Sequence, residues 1–305
     1  MRQAVFRGPA PLSSIFSPKV LNGREFRNDP DLAGALGGGF SFFPGVDTTV
    51  SVGEGRGLEI TVNDEKASFP PSEKAVEVVR ELTGFQGFIS ISHVMHVPIA
   101  TGFGTSAAAA FAVIMSVSHL LGKPITVREA LKHTHRVEIA CKTGLNSEAG
   151  FGKSGLVLVV REGGPEHAVV DQIPLPSGTK LVAVVADRIK TSDAIASVER
   201  LQLLERIGDQ YMEKILKNPT PENFFAQSRE FAEKTGFADE TVHQIFKIFE
   251  KLPTIGYAQN MVGKAVHALI HEENTEQVVQ KLKQSFPQYR VFVGSTSSST
   301  TLTIT

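Results

Sequence analysis

A single cysteine, Cys141, and no tryptophan occur in the 305 residues. One thiol excludes an internal disulfide and a cysteine-based zinc cluster, and it fits a reducing cytosol. Charge of either sign is also lacking in excess, since the formal net charge is -1. Nucleic acid or another polyanion would ordinarily call for a basic surplus, so no nucleic-acid partner is expected. No apolar run reaches the roughly 20 residues that a bilayer crossing takes. The opening MRQAVFRGPAPLSS has no apolar stretch of the kind a secretory signal carries. The expectation is a cytoplasmic protein with no membrane partner. No internal repeat is seen, and no Gly-Lys-Ser/Thr closes a Walker-type loop.

What is present is an ordinary globular composition, 41% hydrophobic and 21% charged, in a length that suits one large domain or two lobes. Strands are predicted at 4–6 and 40–52, the second joined through the Gly-rich turn 53–57 to a strand at 58–62 as a β-hairpin. Further strands are expected at 87–97, 156–161, 181–186 and 289–293. Apolar spacing predicts helices over 73–83, 105–121 and 126–141, the last with Thr126 and Glu129 as a capping box. Later helices are expected over 194–216, 221–235, 240–252, 258–271 and 274–286. The Pro- and Gly-rich stretch 163–178 reads as a lobe boundary. The fold class is α+β with two lobes: a strand-rich N-terminal lobe over 1–172 and a helix-rich C-terminal lobe over 173–305. The Ser/Thr-rich end after Gly294 reads as a last strand and a frayed tail.

The segment PIATGFGTSAAAA at 98–110 follows a strand and opens a helix. Gly102 and Gly104 let the backbone approach an anion without a Cβ in the way. The first N–H groups of the helix have no intrahelical partner, and the helix dipole is positive there. Together they form an anion site, to which Thr105 and Ser106 add hydroxyls. The plainer reading is a Gly-rich turn into an Ala-rich core helix. His93 and His96 fall on opposite faces of the preceding strand, so they share no metal.

These residues resemble the second motif of the GHMP kinases (galactokinase, homoserine kinase, mevalonate kinase and phosphomevalonate kinase), P-x-x-x-G-L-G-S-S-A-A. Phe103 stands for the Leu and Thr105 for the first Ser. The resemblance implies a two-lobed GHMP kinase fold, ATP as co-substrate, Mg²⁺ as cofactor, a small hydroxy acid as acceptor, and a homodimer. It implies that Pro98, Gly102, Phe103, Gly104, Thr105, Ser106, Ala107 and Ala108 wrap the ATP phosphates. It also makes Ser106 and, in the helical HRVE stretch, Glu138 the metal ligands. Blocks such as PLSSIFSPK, DPDLAGALGGGFSF, HRVEIACKTGL and QNMVGKAVHAL run parallel to the archaeal pantoate kinases over most of the chain, which implies pantoate as acceptor.

Three departures from that pattern concern the acceptor. Ser147 stands where those kinases carry an Asp as presumed base, the His of their early motif is missing, and the stretch 34–39 lacks their Arg. Glu148, one residue on, becomes a candidate base through a shifted turn, and Lys153 or Lys19 a candidate for neutralising the transferring phosphoryl. Arg24 and Arg27 are candidates for a carboxylate clamp, since the guanidinium fork suits that task. Ser13 and Ser14 are candidates for binding a substrate hydroxyl. Gly37, Gly38 and Gly39 would offer bare backbone N–H groups to a carboxylate. Mevalonate, a mevalonate phosphate and homoserine stay open as acceptors, and a non-catalytic nucleotide or metabolite binder stays open as a second class.

Overall fold

The computed structural model describes residues 2–188 and 197–305. Two very long strands organise the first half. β1 (Arg2–Lys19) and β4 (Gly34–Gly53) run antiparallel from the pair Arg2–Val52 to the pair Lys19–Gly34, with register shifts at Gly8/Ala10 and Ser13/Ile15. The small β2 (Leu21–Asn22) and β3 (Glu25–Phe26) cap the connection. The stretch 34–39 is thus strand rather than loop. Its glycines are required by close packing: a Cβ on Gly39 or Gly37 would fall within 3.0 Å of the Leu12 or Ile15 carbonyl oxygen.

The expected hairpin does not form. β5 (Gly57–Val62), followed by the short β6 (Glu65–Lys66), pairs in parallel with β7 (Phe88–Met95), and β7 lies between β4 and β5. Helix α1 (Pro70–Thr83) makes the crossover, with prolines in its first turn. Strand period was readable at 48–62, but the identity of the partner depends on the later β7. Helix α2 (Thr105–Leu120) is buried almost all round, and α3 (Val127–Cys141) begins at Thr126, whose side chain accepts from the Glu129 N–H. β8 (Leu156–Arg161) pairs with the first half of β4 and with β9 (Val169–Ile173), which occupies the stretch expected as a linker.

β10 (Thr179–Asp187) starts a second, four-stranded antiparallel sheet. Helices α4 (Val198–Lys217), α5 (Pro221–Lys234) and α6 (Glu240–Phe249) follow; the part of the expected 194–216 helix at 194–196 lies outside the described residues. The expected helix at 258–271 is instead two strands, β11 (Gly256–Gln259) and β12 (Lys264–His271). β12 lies between β11 and β10 and is buried on both faces, so its sequence lacks the alternation that separates a strand from a buried helix. Helix α7 (Thr275–Ser285), edge strand β13 (Arg290–Gly294) and β14 (Thr301–Ile304) complete the chain, and β14 returns to pair with β1.

Two large apolar cores result. One joins Ala4, Phe6, Val46 and Val50 of the long strands to α1, α2 and α3. The other joins Ala10, Leu12, Ile15, Phe40 and Phe42 of the same two strands to the second sheet and α4–α7. The bridges Ser13–Met261 and Phe43–Ser295 stitch the sheets together beside the seam.

Candidate active site

A cavity of about 520 Å³ opens at that seam. One wall is the turn between β7 and α2. Gly102 (φ 80) and Gly104 (φ 58) hold left-handed backbone there. A Cβ on Gly102 would meet Asn260, and one on Gly104 would meet the Pro11 carbonyl, both within 3.0 Å. The turn therefore tolerates only glycine at these points. Gly104 caps α2 without a side-chain bond, and no acidic residue occupies the first helical turn. Gly102, Gly104, Thr105 and Ser106 line the cavity. The other expected phosphate-loop residues hold the turn from behind. The Pro98 carbonyl accepts from the Thr101 hydroxyl, Phe103 packs edge-on against Phe42, and Ala107 and Ala108 are buried in the first core.

Glu138 comes to the same place from the last turn of α3 and is wholly buried. Burial pushes its carboxyl up to about 7, while the Thr143 and Ser106 hydroxyls pull it the other way. Its Oε1 accepts from Thr143 Oγ1 at 2.6 Å, and its Oε2 is buried with no hydrogen-bond partner. A Cβ on Gly144 would crowd both Glu138 Oε2 and Ser147 Oγ within 3.0 Å, so the turn after α3 wraps the carboxyl closely. A buried, half-satisfied carboxylate beside a serine hydroxyl is a donor set that suits a hard divalent cation. The residues fit Mg²⁺. No group of three or more His, Cys, Asp or Glu able to hold a metal occurs among the described residues, so phosphate oxygens and water would complete the shell.

The structure separates other expected site residues from the cavity. Glu148 is turned into the interior, where its Oε1 lies 2.8 Å from His135 Nδ1, and it does not line the cavity. His135 Nε2 faces the carbonyls of Pro30 and Ala33. Burial pulls the imidazole down, but Glu148 and the two carbonyls outweigh it and hold it up at about 9. Glu148 is thereby tied up as a counter-ion and is not positioned as a base. Ser14 is also withdrawn: its hydroxyl meets His267 Nε2 at 2.9 Å, and His267 Nδ1 meets Asn260 Oδ1 at 2.9 Å. Lys19 is ion-paired with Glu205 and Asp209, and Lys153 is not among the lining residues. Arg24 pairs with Glu199 on the surface, and Arg27 is engaged by the Leu21 and Leu32 carbonyls and Glu162. Neither arginine reaches the cavity, because each finds a partner near its own hairpin.

Ser13 and Gly37–Gly39 do line it. The glycines pair with β1 on one side and β8 on the other, so their backbone groups belong to the sheet and are not free for a carboxylate. They form a floor, with Ile15, Phe16, Leu36, Val157 and Val159 as apolar walls. Sequence reasoning missed Thr143, Lys142 and Asn146. Asn146, at φ 93, accepts from the Ala35 N–H and donates to the Gly163 carbonyl, tying the turn after α3 to the start of β4.

Residues 72–155, which hold the phosphate turn, Glu138 and the wrapping turn, match the GHMP kinases N terminal domain. The chain carries the N-terminal domain of the GHMP kinases and is a kinase of that type. It is similar to a pantoate kinase of Thermococcus kodakarensis, 27% identical over 279 residues and 90% of each chain. It is likewise similar to a pantoate kinase of Methanocaldococcus jannaschii, 26% identical over 251 residues, 82% of this chain and 88% of the relative. A solved phosphotransferase related to the CoA biosynthesis pathway shares the fold, with TM-score 0.85, 24% identity and 99% of each chain covered.

Proposed function

We propose that this kinase phosphorylates the terminal hydroxyl of pantoate to give 4-phosphopantoate on a route to coenzyme A. One observation carries the choice of acceptor: the half of the cavity beyond the phosphate turn is apolar, walled by Ile15, Phe16, Leu36, Val157 and Val159 over a glycine floor. Such a pocket suits the dimethyl-substituted carbon of pantoate. Homoserine carries an ammonium group, and no carboxylate lines the cavity among the described residues. A mevalonate phosphate brings extra negative charge, for which the lining holds little compensation. The named relatives support the same acceptor.

In the reaction the acceptor oxygen bonds to the γ-phosphorus as the bond to the β–γ bridging oxygen breaks, giving ADP and releasing the hydroxyl proton. Gly102, Gly104, Thr105 and Ser106 present backbone N–H groups and hydroxyls to the phosphates. Mg²⁺, held by Ser106 and Glu138, would supply charge neutralisation there. Ser147 is no base at neutral pH, and a loose transition state asks little of one, so positioning carries the rate. By resemblance this reading includes a cytoplasmic homodimer and lobes of 1–172 and 173–305. The test is a panel of pantoate, mevalonate, mevalonate phosphates and homoserine with ATP, read by product mass. Pantoate should be turned over at the highest kcat/KM; an inert pantoate beside a reactive alternative overturns the reading.

A further inference from the structure

We propose that Lys142 holds the polyphosphate tail of the nucleotide at the cavity edge, an inference that rests on the kinase reading above. Lys142 is the one charged residue among the described residues that line the cavity. It is exposed, and whereas Lys132 and Arg136 of the same helix pair with Glu166 and Asp31, it has no carboxylate partner among the described residues.

The backbone adds a separate reason. Lys142 ends α3 in the left-handed conformation, φ 54 and ψ 40. Glycine is the usual residue at such a helix end, and this chain uses it at the end of α1, where Gly84 has φ 74. A side chain kept in that conformation beside a binding cavity points to a task for the side chain.

Its place in the cavity selects the ligand. Thr143, the following residue, is bonded to Glu138, and Lys142 shares the cavity wall with Cys141 and Thr143. The acceptor floor joins the far end of the turn, where Asn146 holds Ala35. Lys142 therefore lies on the metal and phosphate side. A polyphosphate brings several negative charges to a cavity whose other offsets are the α2 N-terminus and the bound metal.

Equilibrium titration of the full chain with ATP and with adenosine tests this in K142M, K142G and K142R. Loss of the cation should weaken ATP about tenfold and leave adenosine unchanged, with K142R within about threefold of the unaltered protein. K142G should melt no lower than the unaltered protein, because glycine accepts the left-handed backbone, and the acceptor KM should not move. Unchanged ATP affinity in K142M and K142G overturns the proposal, as does equal weakening of adenosine or an effect confined to the acceptor KM. Failure of the unaltered protein to bind ATP would instead overturn the kinase reading.

Discussion

Glu138 has one carboxylate oxygen satisfied by Thr143 and one with no partner, deep in the protein. Its pKa is raised by burial from 4.5 to about 7, so the fold resists its ionisation. The unfolded chain loses this proton first, and stability should fall as pH rises from 4.5 to about 7 and stay level above it. At pH 8 the penalty is on the order of 3 kcal/mol. E138Q should therefore melt higher than the unaltered protein at pH 8 without metal, and the two should converge near pH 4.5. The same substitution, and S106A, should each lower kcat by roughly a hundredfold or more if the pair holds the metal. Normal rates in both variants would remove the metal assignment. G144A places a methyl against the carboxylate and should weaken Mn²⁺ binding, measured by electron paramagnetic resonance of free Mn²⁺. Gly102, Gly104 and Ser106 could be placed at one turn from the sequence because such a turn is a local device written in consecutive residues, whereas Glu138, on a separate helix, followed only from the family resemblance. Arg24, Arg27, Ser14 and Glu148 were not, because each is claimed by a partner distant in sequence or by a carbonyl that only the folded loop presents.

Between elements, two buried polar connections hold the site in register. His135 and Glu148 join α3 to the turn at Ser147–Gly150 and to the carbonyls before β4. The imidazolium contributes fully below pH 6.5, and its contribution is lost as pH rises through about 9. E148Q removes the charge that holds the imidazolium, so burial should leave His135 neutral at pH 7, and the melting temperature should drop, most of all below pH 6.5 where the ion pair contributes fully. The second connection runs Ser14, His267, Asn260 and links β1 to the turn between β11 and β12. Burial pulls His267 down to about 3, so it stays neutral and the chain is a plain hydrogen-bond relay. S14A should cost about 1–2 kcal/mol of stability and leave the acceptor KM unchanged, whereas a substrate-binding serine would raise it. Helices α1 and α3 were legible from period and flanking residues, and α2 from its long apolar run. The β5–β7 pairing and the β11–β12 pair were not, since one needs a crossover partner and the other hides its period by burial on both faces.

At the scale of the molecule, the acceptor half of the cavity is made by both cores meeting over β1 and β4. Its glycine floor admits no side chain, since a Cβ at Gly37, Gly38 or Gly39 meets packed atoms on the far side of the sheet or on β1. G38A would push a methyl into Leu158 and Phe224, so it should destabilise the second core. A change of character near 173 reads in the sequence as a lobe boundary, an expectation that stays a proposal. The sharing of strands between the two cores was not legible there, because an 18-residue strand and a 20-residue strand serve both.

That sharing has a consequence for how the protein comes apart. β1 lends Ala4 and Phe6 to one core and Ala10, Leu12 and Ile15 to the other, and the late β14 closes on its first residues. Neither half of the chain can be cut away without stripping a core from the remainder. Heating should therefore give a single cooperative calorimetric transition, with van't Hoff and calorimetric enthalpies in agreement, and a fragment ending near residue 172 should be unable to reach a native state by itself.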